Sequence, residues 1–160
     1  MNRIAIFSLC VIAVLIQHII HEYAHVTAIK ICGEKVKKIQ WFTYYGGTRI
    51  FLENEPPENE KIGKKWGIIA SAGYVATNVV GYFWVLLFYI IQNIPLKRWC
   101  CIAAIMFLLC DSLYFVLGSI GNFGDIIGIR RNLHMSKGIS IFLSVFIMFI
   151  NILVIKSAFY

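Results

Sequence analysis

Apolar residues along the 160-residue chain gather into four long runs, over about 4–32, 66–92, 99–129 and 139–155. A helix needs roughly 20 apolar residues to cross the hydrocarbon core of a bilayer, so each run predicts a transmembrane helix. The fourth is the shortest, and it either lies flat or crosses with local thinning of the bilayer. Between the first two runs the pattern changes. Residues 36–45 are rich in β-branched and aromatic side chains, Gly46-Gly47 follows, and 48–52 resumes with Thr, Ile and Phe. Two such runs around a Gly-Gly predict a β-hairpin over about 36–52, which either caps the membrane surface or contacts substrate. Pro56-Pro57, within a charged loop over 53–65, bars any further strand. The predicted fold class is an all-α polytopic membrane protein: about four transmembrane helices, a small β-hairpin after the first, and one membrane-embedded domain over 1–160.

Composition sharpens this picture. The chain is 59% hydrophobic and 14% charged, whereas soluble domains sit near half apolar and a quarter charged. The excess must face lipid, which makes the bilayer the first partner. The net charge of +7 therefore speaks to orientation and anionic lipid. No basic patch interleaved with aromatics suggests a nucleic-acid partner. Eight Lys and Arg residues fall in 30–65 and three in 130–137, against Arg3, Lys97, Arg98 and Lys156 elsewhere. The positive-inside rule then places those two loops in the cytoplasm of a cell membrane protein and both termini outside. No small-x-small cleavage site follows the first run, so it is expected to be a retained helix. The five cysteines form no C-x-x-C pair and read as small buried hydrophobes.

The first run also carries the chemistry. His21-Glu22-Tyr23-Ala24-His25 spells H-E-x-x-H. On a helix this spacing stacks two imidazoles on one face, one turn apart, so both can reach one Zn²⁺ at about 2.0–2.1 Å. The intervening Glu22 points beside the metal, as a general base toward water. Ionisable groups inside an apolar span cost about 2–3 kcal/mol each and tend to face a wet cavity. His18 lies on nearly the same face, as a neighbour or a spare ligand. A catalytic zinc takes a third protein ligand, and the acids outside the polar loop are Asp111 and Asp125. Counting 1.5 Å per residue along straight helices, both miss the motif's depth by about 9–12 Å. Gly118, Gly121 and Gly124 precede Asp125, and glycines at that density let the chain turn back toward the site. This favours Asp125, leaving Asp111 as the alternative.

These motifs resemble the site-2 protease family of intramembrane zinc metalloproteases, in a small, minimal-core form. That family carries H-E-x-x-H in one transmembrane helix and an aspartate ligand on a later one, near an Asn. Here Gly121-Asn122-Phe123-Gly124-Asp125-Ile126 stands in that place. A family Gly-Pro-x-x-Asn motif corresponds to Gly73-Tyr74-Val75-Ala76-Thr77-Asn78, with Tyr74 in place of the Pro and the Asn one residue late. Ile126 stands where the family has Gly. The resemblance covers about 4–129. It implies a zinc metalloendopeptidase whose ligands are His21, His25 and Asp125, with Glu22 as base. Asn78 or Thr77 is then the group that steadies the oxyanion, and transmembrane segments of membrane proteins are the substrates. By the Lys and Arg count and the motif's place along the first run, the site is expected in the cytoplasmic half of the bilayer.

Overall fold

The computed structural model describes residues 2–159 apart from 42 and 44–46. Its elements are α1 (Arg3–Ile31), β1 (Val36–Gln40), β2 (Arg49–Leu52), a short 3₁₀ turn (Glu58–Glu60), α2 (Lys64–Ile90), α3 (Ile94–Gly121), α4 (Asp125–Asn132) and α5 (Lys137–Phe159). Four of these, α1, α2, α3 and α5, are long and apolar enough to cross a membrane. The protein is therefore a multi-pass membrane protein with a hairpin after its first helix. At 23 residues, α5 spans about 35 Å and needs no thinning of the bilayer.

Local chemistry sets the ends. The Asn2 side chain caps α1 by accepting from Ile4 N at 3.1 Å, and the Asn93 side chain caps α3 by accepting from Leu96 N at 3.0 Å, with Pro95 in the first turn. After α1, Gly33 turns left-handed at φ 81° and Glu34 N reaches back to Ile29 O at 3.0 Å, a glycine-terminated C-cap.

One expected boundary is corrected. The third span was expected over about 99–129, with glycines that let the chain turn back before Asp125; the helix starts earlier, at Ile94, stops at Gly121, and resumes as α4 at Asp125. Asn122 adopts the left-handed conformation at φ 59°, Phe123 N bonds back to Gly118 O at 3.2 Å, and Gly124 sits at φ 70°, ψ −160°. That last conformation is open only to glycine. The chain thus reverses over three residues, and Asp125 begins a new helix, where the N-terminal dipole favours its negative charge.

The strands pair antiparallel, Ile39 with Ile50 and Gln40 with Arg49, with an irregularity between Val36 and Lys38. They are shorter than the runs read from sequence. Phe42, Tyr44, Tyr45 and Gly46, which belonged to the predicted first strand and turn, lie outside the described residues.

α3 is the central helix and packs against α1, α2, α4 and α5. Small residues permit the close approach: Ala103 and Ala104 are buried, and a Cβ on Gly81 would lie 2.6 Å from Leu108. Large apolar side chains such as Phe7, Leu86, Phe142 and Phe149 point outward. The buried set, in contrast, includes Gln17, His21, His25, Thr77, Asn78, Asp111, Ser112 and Asn151. Apolar outside and polar within is the arrangement a bilayer selects.

Candidate metal centre

His21 and His25 stand one turn apart on the buried face of α1. The reversal at Asn122–Gly124 brings Asp125 opposite them. Its Oδ2 lies 2.8 Å from His21 Nε2 and 3.3 Å from His25 Nε2. One ligand atom from each of the three residues lies within 4.8 Å of the others. Burial opposes ionisation of Asp125, but hydrogen bonds and charge from His21 and His25 outweigh it and hold the carboxyl well below the usual carboxylate range.

The other ring nitrogens are also engaged. His25 Nδ1 donates to Ile69 O at 2.7 Å. His21 Nδ1 lies 3.2 Å from Asp111 Oδ1. Both Nε2 atoms are thereby turned toward Asp125. The residues fit a metal by three observations: a nitrogen, nitrogen, oxygen donor set, outer partners that orient both imidazoles, and a glycine beside them. A Cβ on Gly73 of α2 would sit 2.5 Å from His21 Cδ2 and 2.6 Å from His25 Nε2, so only hydrogen leaves both rings in place. Three protein ligands with one position left for water is the arrangement of a catalytic zinc site.

Glu22 is half-buried and lines a polar cavity of about 430 Å³ together with His21, Asp125, Asp111 and Tyr114. His18 opens onto the same cavity. Its Nε2 bonds to Thr48 Oγ1 at 3.0 Å and its Nδ1 is 4.0 Å from Glu22, so it neighbours Glu22 and lies apart from the three-residue cluster. A second cleft, of about 410 Å³, reaches His25 and Asp125 from the side of β2, with Ile50, Leu52 and Trp66 in its wall.

A family model, Peptidase M50B-like, matches residues 4–160. The chain belongs to the Peptidase M50B-like family. No curated protein matches it, and no solved structure does. Membership supports a site-2 protease-like metalloprotease at the level of the family, and the His-His-Asp cluster agrees with the metal dependence typical of these peptidases.

In this M50B-like chain two sequence expectations take a different place. Asn78, expected at the oxyanion, is not brought to either cavity. Its Nδ2 donates to Tyr74 O at 3.0 Å and its Oδ1 accepts from Asn151 Nδ2 at 2.9 Å. Thr77, the alternative, donates to Asp111 Oδ2 at 2.5 Å. One residue along a helix is a rotation of about 100°. Thr77 therefore shares the face of Gly73 and reaches Asp111 of α3, while the late Asn78 faces Asn151 of α5. Asp111, held open as a third ligand, lies beside His21 Nδ1, away from the nitrogen that faces Asp125. Two cavity residues escaped the sequence reading. Gln17 is four residues before His21, and Tyr114 is three after Asp111; helical spacing alone would have marked both as facing the same space.

Proposed function

We propose that this M50B-like protein is an intramembrane zinc metallopeptidase that hydrolyses peptide bonds in or near transmembrane segments of other membrane proteins. The reading is carried by one observation: the donor side chains of His21, His25 and Asp125 converge on one point, beside a polar cavity that Glu22 lines together with His21 and Asp125. His21, His25 and Asp125 would hold the Zn²⁺. When bound, the ion supplies Lewis acidity toward a carbonyl oxygen and makes water acidic near neutral pH.

The chain's own groups do the rest. The Glu22 carboxylate accepts a proton from the attacking water and passes it to the departing amine. His25 and His21 lie six and ten residues from the end of α1, about 9 and 15 Å inside. The loops on that side hold most of the basic residues, which favours a site in the cytoplasmic half of a cell membrane with both termini outside. A helical substrate must unwind before its carbonyls are free. The outer edge of β2 pairs with no other described strand, and Ile50 and Leu52 line the cleft leading to His25. An extended segment added to that edge would be held straight for attack.

The test is Glu22→Gln, measured on a fused model transmembrane segment carrying helix-breaking residues. The variant is expected to fold and bind zinc like the wild type while cleaving about 10²–10⁴-fold more slowly. Cleavage at the wild-type rate would exclude the mechanism. Zinc binding without cleavage by the wild type would favour a non-catalytic metal-binding role.

A further inference from the structure

We propose that Asp111 is the positioning residue that orients His21 toward the metal, a role that rests on the metallopeptidase reading above. Asp111 lies in the middle of α3 and is 2% exposed. A carboxylate at such a depth in a membrane helix is retained for a purpose, with named partners. Its partners come from two other helices. Oδ1 accepts from Gln17 Nε2 at 3.0 Å and faces His21 Nδ1 at 3.2 Å. Oδ2 accepts from Thr77 Oγ1 at 2.5 Å.

The His21 ring stands between two aspartates. Asp111 is on the Nδ1 side, and Asp125 is on the Nε2 side at 2.8 Å. An acceptor at Nδ1 keeps the proton there and leaves Nε2 with its lone pair turned to the cluster. A charged acceptor also makes the imidazole a better donor to a metal. His25 receives the same service from a neutral group, the Ile69 carbonyl at 2.7 Å. Gln17 and Thr77 fix the carboxylate's rotation, and each belongs to the face that carries a site element: Gln17 one turn before His21 on α1, Thr77 one turn after Gly73 on α2. One carboxylate thus aligns α1, α2 and α3 behind the site.

The experiment uses the full chain in detergent, titrated with Zn²⁺ against a competing chelator, with the absorption of Co²⁺ as a second readout. Asp111→Leu removes the acceptor and is expected to weaken zinc binding about 10–100-fold, with one ion per chain still bound at saturation and a shifted cobalt spectrum. Asp111→Asn can accept from Nδ1 without the charge, and its affinity should fall between the two. Wild-type affinity in folded Asp111→Leu, even with lowered thermal stability, would overturn the proposal. So would loss of all zinc from Asp111→Leu while Asp125→Ala keeps it, since Asp111 would then be a ligand. If Asp111→Leu does not insert, Asp111→Asn decides alone: weaker binding supports the role and wild-type affinity overturns it. A wild-type chain that takes up no zinc would instead sink the metallopeptidase reading itself.

Discussion

Two of the polar clusters inside this bundle lie next to each other and share α2 and α3. The first joins Gln17, His21, His25, Thr77, Asp111 and Asp125. The second joins Asn78, Tyr82, Ser112 and Asn151. In the second, neutral groups satisfy one another: Asn151 Nδ2 donates to Asn78 Oδ1 and Ser112 Oγ at 2.9 and 2.7 Å, and Tyr82 Oη donates to Asn151 Oδ1 at 2.6 Å. None of its members lines the two cavities at the site. In the first, carboxylates and imidazoles converge on one point, and a cavity opens beside them. Thr77 and Asn78 are adjacent in sequence, as are Asp111 and Ser112, yet each pair is split between the clusters. A helix turns about 100° per residue, so neighbouring positions serve different purposes. The neutral cluster holds α2, α3 and α5 together; the charged one leaves donors free for a ligand.

The largest effect that can break this contrast is expected at Gly73. Gly73→Ala places a methyl group against both imidazoles, and displacements near 1 Å in a reacting centre cost about 10²-fold in rate. Reporter cleavage should fall by at least that factor while helix content by circular dichroism stays unchanged. Next is Asn151→Leu, which strips partners from Asn78, Ser112 and Tyr82 at once. Leaving buried polar groups unsatisfied costs about 1–3 kcal/mol, so unfolding in detergent should come earlier while zinc content stays at the wild-type level. The smallest effect sharpens the assignment of Asn78. An oxyanion donor is worth about 10²–10³-fold in kcat, but the side chain is bonded to Tyr74 O and Asn151. Asn78→Ala should therefore retain cleavage within about tenfold of the wild type, with the loss appearing in thermal stability.

Much of this was legible from the residues. The four spans follow from the apolar runs and the hairpin from composition. The pairing of His21 with His25 follows from a spacing that only a helix turns into one face. The glycines before Asp125 marked the place where the chain turns back, because Gly124 takes a backbone conformation that side chains exclude. The depth of Asp111 along its helix was undercounted for a geometric reason. Depth was counted from about residue 100, but α3 begins at Ile94, capped by Asn93 ahead of the apolar run. Counted from there, Asp111 is nearly as far along α3 as His21 is along α1, which is why the two meet. Asn78 was read by motif position, with its one-residue offset noted and Thr77 kept beside it, and in a helix that offset is a change of face.

The central claim is that the charged cluster, and not its neutral neighbour, holds a metal. Zinc content of the purified chain measures this directly, with wild type beside Asp125→Ala and Asn151→Leu. The account predicts about one zinc per chain for the wild type and for Asn151→Leu, since the three donors form a single ligand set, and little or none for Asp125→Ala. Full zinc in Asp125→Ala, or none in a folded wild type, would contradict it.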